Sequence, residues 1–210
     1  MTNPGKFITF EGGEGVGKST QVNIIVKKLT DLGIDVVQTR EPGGAPGAEE
    51  IRALLVTGGT DKWQPMTEAL LHNAARAEHL DVTVKPALAA GKWVISDRYT
   101  DSTIAYQGYG QGISTETLLD LHRLSTGDFW PELTIILDGH ELHRAKSREI
   151  ENASNEDRYE RMGEDFHQKL RQSFRDIAKK NEKRCVLVSA DGTIDDVAER
   201  VWKIIEDRCL

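Results

Sequence analysis

The sequence predicts an α/β fold with helices packed on a parallel sheet. Three observations carry the prediction: a glycine-rich loop between a strand-like and a helix-like segment, short apolar runs spaced by helical periodicity, and a length of 210 residues that suits one domain with a substantial core. The first apolar run is residues 7–10. It leads into Gly12-Gly13-Glu14-Gly15-Val16-Gly17-Lys18-Ser19, and a helical pattern follows over residues 21–32. In that setting the glycines let backbone N–H groups wrap a phosphate chain and the helix offers its positive N-terminus. Lys18 reaches the terminal phosphates and Ser19 ligates Mg²⁺. The ligand read from this loop is a nucleoside triphosphate.

Further strand-length apolar runs lie at residues 35–39, 93–96, 133–137 and 185–188, separated by helical patterns. Parallel strands need crossover helices and are buried on both faces, which accounts for continuous runs such as Thr134-Ile135-Ile136-Leu137. Ligands then bind at the carboxyl ends of the strands. The second strand ends in Arg40-Glu41-Pro42-Gly43-Gly44, a rigid turn. The longest helical candidate starts after Pro65, with Met66, Leu70, Ala74, Ala77, Leu80, Val84 and Leu88 on one stripe and a bend at Pro86. Asp97 ends the third strand at the ligand edge, where its carboxylate can hold Mg²⁺ through water, and Arg98 adds a planar fork for a second phosphate. Tyr106-Gln107-Gly108 follows at helical spacing and faces the same cleft. Residues 147–157 are too polar for a core and read as a lid.

The net charge of −7 and pI near 5.4 argue against nucleic acid as a partner, because surfaces that bind it are basic. Cys185 and Cys209 lack metal-ligand spacing and suit a reduced, cytoplasmic setting. Residues 1–6 are short and polar, and no apolar run reaches 18 residues, so neither a signal segment nor a membrane span is expected.

The chain resembles the bacterial thymidylate kinases. The resemblance rests on Glu11-Gly12-Gly13-Glu14-Gly15-Val16-Gly17-Lys18-Ser19-Thr20, Thr39-Arg40-Glu41-Pro42-Gly43-Gly44, Ala74-Ala75-Arg76, and the long block from Asp97-Arg98-Tyr99 to Tyr106-Gln107-Gly108. It continues through Pro131-Glu132-Leu133-Thr134 to Asp138, and through Asp157-Arg158-Tyr159-Glu160. It implies a P-loop NTPase fold of three αβα layers with a five-stranded parallel sheet and a mobile lid at about residues 144–160, transfer of phosphate from ATP to dTMP, and a homodimer. By the same resemblance, residues Gly12 to Thr20 hold ATP, Ser19 and Asp97 hold Mg²⁺, and Arg98 holds the dTMP phosphate. Arg40, Pro42 and Gln107 join the acceptor site. Arg76 reaches the thymine carbonyl, Thr103 the base, and Glu14 the 3′-hydroxyl, while Tyr106 crowds the 2′ position.

Charge spread over the transferring oxygens calls for a further arginine. The loop has Gly15 where another branch of the family has that arginine, so the lid supplies it, and Arg158 is favoured over Arg148. Nine mostly polar residues separate the two, a longer lid than the resemblance implies. His72 stands where the family presents a phenylalanine that stacks on thymine. It shares one helix face with Arg76 and His79, and the resemblance implies that it covers the base. Two other readings suit parts of the pattern. One is a kinase for dUMP, a 5-substituted dUMP or another nucleoside monophosphate; the other is a nucleotide-binding switch. The chain has no Asn-Lys-x-Asp guanine motif, and a switch has no use for a second phosphate site.

Overall fold

The computed structural model describes residues 5–139, 158–159 and 161–210. Five parallel strands form one sheet in the order β2-β3-β1-β4-β5, with β1 at Phe7–Gly12, β2 at Val36–Arg40, β3 at Trp93–Asp97, β4 at Leu133–Asp138 and β5 at Cys185–Ser189. Each strand runs one or two residues past its apolar stretch, so polar residues such as Glu11, Arg40, Asp97 and Asp138 join the ladder at its carboxyl edge. The register sets Asp97 between Phe10 and Arg40. Three strands therefore deliver an acid, a cation and the glycine loop to one edge.

Helix α1 (Lys18–Asp31) buries Val22, Ile25 and Leu29 at i, i+3 and i+7 against the sheet, where they meet Val197, Val201 and Ile205 of the C-terminal helix α8 (Ile194–Cys209). Thr193 and Asp196 begin α8 with reciprocal side-chain-to-backbone bonds. Across the sheet, α7 (Glu164–Lys180) buries Leu170, Phe174 and Ile177 beside Tyr106 and Ile136. Helices α2 (Pro46–Val56) and α3 (Pro65–His79) pack together beyond β2, each with proline in its first turn, where its missing N–H is harmless. α3 continues through a π-type turn over Leu80–Val84 into the short α4 (Lys85–Ala89). Between β3 and α6 (Thr115–Thr126), α5 (Thr100–Thr103) widens into a second π-type stretch, Ile104–Gly110.

The stripe expected on α3 faces outward over its first two turns. Met66 is 41% exposed and Leu70 49%, whereas Glu68, Asn73, Arg76 and His79 are buried. The polar face turns inward because ion pairs and hydrogen bonds receive it there. Cys185 and Cys209 are buried free thiols.

Because Ile25 is fully enclosed between α1, the sheet and α8, Ile25→Ala should lower unfolding stability by about 2–5 kcal/mol. Urea denaturation reads this directly. A shift of the midpoint within error would mean that α1 is not packed as described.

Candidate functional site

The glycine loop begins where β1 meets β4. Gly12 has φ +136°, and a Cβ there would stand 2.5 Å from the Leu137 carbonyl oxygen, so no side chain fits. Past Gly17, also at positive φ, the chain enters α1. Lys18 folds over the loop and its Nζ donates to the carbonyl oxygens of Gly13 at 2.6 Å and Gly12 at 3.2 Å. Burial and the neighbouring Arg98 hold its pKa below the usual lysine value, against the pull of Glu14, Asp97 and Glu11. The Ser19 hydroxyl donates to Asp97 Oδ2 at 2.6 Å, which brings two hard oxygen donors together beside the lysine. That donor set suits a small divalent cation such as Mg²⁺.

Arg98 joins this loop to a second cavity. Its φ is +73°, a strained conformation for a residue with a side chain. Nη1 donates to Gly12 O at 3.1 Å and to Ser102 Oγ at 3.0 Å, while Nη2 donates to Glu14 Oε1 at 2.9 Å. Burial opposes its charge, but Glu14, Tyr106, Asp97 and Glu11 outweigh burial and raise its pKa. Burial would likewise raise Glu14, yet Arg98, Lys18 and the Tyr106 hydroxyl hold its carboxyl down to about 2. The Tyr106 hydroxyl donates to the same Glu14 oxygen at 2.6 Å, and the Arg98 guanidinium lies 5.1 Å from the centre of the Tyr106 ring.

The far end of this cavity is built by α3 and the stretch after α5. Arg76 Nε donates to Glu41 Oε2 at 2.8 Å and its Nη2 to Thr103 Oγ1 at 3.0 Å. Glu41 in turn engages His79 Nδ1 at 2.9 Å, and His79 Nε2 meets Thr39 Oγ1 at 2.7 Å. Arg76 Nη1 is buried without a partner among the described residues. So is Gln107 Oε1, whose amide nitrogen donates to Glu68 at 2.7 Å. An unmatched donor and an unmatched acceptor thus belong to two residues that line one cavity.

His72 lines the same cavity and its Nε2 shares a hydrogen bond with the Tyr159 hydroxyl at 2.8 Å. Burial and the charges of Arg76, Arg158, Arg98 and Arg52 push its pKa down to about 3, so the ring is neutral at physiological pH. The remaining expected residues divide. Arg40 is exposed and pairs with Glu49, and Pro42 accepts from Arg52 Nη1 at 2.8 Å through its carbonyl.

Arg158, expected near the transferring phosphate, has other partners in this structure. It is fully buried away from the phosphate loop, donating to the carbonyls of Leu55, Gly59 and Thr60 and pairing with Glu68 at 2.5 Å. Backbone carbonyls left free between α2 and α3 capture it, which leaves no N–H fork for a phosphate. Arg148, the polar stretch 147–157 and most of the expected lid lie outside the described residues. Sequence reasoning assigns no role to Arg52, which lines both cavities, or to Glu41, Glu68 and Tyr159. One signal is present: Glu68, His72, Arg76 and His79 recur at helical spacing and share one face of the helix.

Comparison with known proteins gives one consistent result. The thymidylate kinase family model matches residues 10–201. The thymidylate kinase of Rhizorhabdus wittichii is 44% identical over 204 residues, covering 97% of this chain and 98% of that protein. The thymidylate kinase of Rhodopseudomonas palustris strain BisB18 is also 44% identical, over 208 residues, covering 98% and 90%. Among solved structures, the thymidylate kinase from Ehrlichia chaffeensis superposes with a TM-score of 0.78 at 37% identity, covering 97% of this chain and 99% of that one.

The neutral His72 generates a pH prediction. An unfolded chain takes a proton on this histidine as pH falls below about 6.5, whereas the folded protein resists until about 3, so His72 removes stability progressively across that window and has no effect above it. His122, pushed down to about 4 chiefly by burial, acts in the same direction. His72→Phe should therefore make the acid limb of stability against pH shallower than in the parent, measured by urea denaturation at a series of pH values. An unchanged slope would mean that His72 titrates normally.

Proposed function

The chain belongs to the thymidylate kinase family and transfers the γ-phosphoryl group of ATP to dTMP; from that premise we propose how its residues divide the work. The observation that carries the reading is the continuity between the two cavities. Arg98 stands between the phosphate loop and a pocket whose far end offers Arg76 Nη1 as a donor and Gln107 Oε1 as an acceptor, both without partners among the described residues. A pyrimidine with a carbonyl next to a ring N–H complements that pair. Thymine and uracil share that edge, so the pair fits dTMP and dUMP alike; cytosine, whose ring N3 only accepts, would have to offer its amino group to Gln107 instead.

In this reading Gly12 to Thr20 hold ATP, with the loop amides and Lys18 on its phosphates. Arg98 exchanges its Glu14 contact for the dTMP phosphate, which frees Glu14 for the 3′-hydroxyl, and Arg40 and Pro42 border the same acceptor. Thr103 fixes Arg76 toward the base. Tyr106, held by Glu14, closes the space at C2′, and His72 covers the base. Ser19 and Asp97 would hold Mg²⁺, which supplies charge neutralisation on the phosphoryl oxygens when bound. The protein's task is then positioning and electrostatic stabilisation, because the loose transition state spreads charge over equatorial oxygens. With Arg158 spent on carbonyls, the additional cation is Arg148.

The assembly we propose is a homodimer, supported by apolar side chains left exposed on adjoining helices: Leu54 of α2, Met66 and Leu70 of α3, and Leu124 of α6. We place the enzyme in the cytoplasm, without nucleic-acid or membrane partners. No helix among the described residues is long and apolar enough to cross a membrane.

Steady-state assays with ATP and a panel of monophosphates should give turnover with dTMP and little with dCMP; equal rates would remove the base assignment. Lys18→Ala should cost about a hundredfold or more in rate while the fold persists, and near-normal turnover would remove the loop from the mechanism. Tyr106→Ala is expected to narrow the preference for dTMP over its ribonucleotide counterpart, and an unchanged ratio would locate the sugar gate elsewhere.

A further inference from the structure

Glu11 is a fully buried carboxylate at the end of β1 with no part in the roles assigned above. Its Oε1 accepts the backbone N–H of Tyr99 at 2.8 Å and that of Ser102 at 3.3 Å, while Oε2 accepts the Ser102 hydroxyl at 2.6 Å. The same Ser102 oxygen accepts Arg98 Nη1 at 3.0 Å. A hydroxyl has one proton and Arg98 only donates, so the proton goes to Glu11 and the oxygen lone pairs point at the guanidinium. The Tyr99 N–H pins the residue that follows Arg98, whose φ of +73° needs support from its surroundings.

We propose that Glu11 is a positioning residue for phosphoryl transfer: it fixes the strained turn at Arg98 through Tyr99 and aims the guanidinium through Ser102. Burial and Asp101 push the Glu11 carboxyl up to about 8, against the pull of Arg98 and the donors from Ser102 and Tyr99, so the arrangement in which both oxygens accept belongs to its ionised form. Asp101 is matched by Arg184, with contacts of 2.6 and 2.9 Å, and so does not compete for Arg98. Glutamine at position 11 keeps the volume but replaces one of the two carboxyl oxygens by an NH2 group, so either Tyr99 N–H or the Ser102 hydroxyl meets a donor instead of an acceptor.

The inference rests on Arg98 holding the dTMP phosphate, and a double-mutant cycle separates the two claims. The full-length enzyme, Glu11→Gln, Ser102→Ala, Arg98→Ala and the doubles with Arg98→Ala are assayed for kcat and for KM of dTMP and ATP. Glu11→Gln and Ser102→Ala should each lower kcat/KM for dTMP by about tenfold or more, leave the KM for ATP within about twofold, and cost less than about threefold further once Arg98 is alanine. Full losses in the Arg98→Ala background, or equal weakening of ATP, would overturn the proposal and make Glu11 a general support of the phosphate loop. Normal dTMP use by Arg98→Ala would overturn the underlying reading instead, and the proposal with it. If Glu11→Gln does not fold, the Ser102→Ala cycle decides by the same criteria.

Discussion

The site depends on one constraint, a large cation held in a backbone conformation that favours glycine. Arg98 follows the last residue of β3 directly, so its side chain can enter the cleft only if the chain turns sharply there, and the turn costs of order 1–3 kcal/mol. The sheet supplies the anchor, since the Arg98 N–H donates to Phe10 O at 2.9 Å. Acids supply the rest. Glu14 pairs with the guanidinium, and Glu11 holds the residues that follow it. Anchored from both sides, the arginine stands where the glycine loop ends and the second cavity begins.

The pocket beyond follows the same logic of buried charge matched in pairs. Glu41 lies between Arg76 and His79, and these two partners hold its pKa down although burial acts to raise it. Glu68 receives Gln107 and Arg158. Breaking such a pair leaves an uncompensated charge inside, which costs more than the pair contributes, so these residues constrain one another's geometry. The atoms left over, Arg76 Nη1 and Gln107 Oε1, are those a base edge can complete.

How much of this is legible in the sequence varies with the kind of interaction. The central strands are legible because they are buried and largely apolar; the edge strand β2 is half exposed and rests on Val36 and Val37, and late residues such as Glu11 and Asp97 are polar yet paired in the ladder. The phosphate loop is legible because its chemistry is local. The apolar stripe of α3 misleads: Met66 and Leu70 point outward while Glu68 and Arg76 are buried, an inversion that periodicity cannot detect when the inner face is lined by paired polar groups. Pairings distant in sequence are the least accessible. His72 stands out on its helix, but its bond to Tyr159 spans 87 residues, and Arg158 is recognisable as a cation without any sign that carbonyls near Gly59 absorb it.

A crystal structure of the protein with dTMP tests the central claim most directly. We expect Arg98 to keep its positive φ and to turn its guanidinium from Glu14 to the acceptor phosphate, with Arg76 Nη1 and Gln107 Oε1 on the thymine edge. A dTMP phosphate held by Arg40 or Arg52 while Arg98 stays on Glu14 would contradict it.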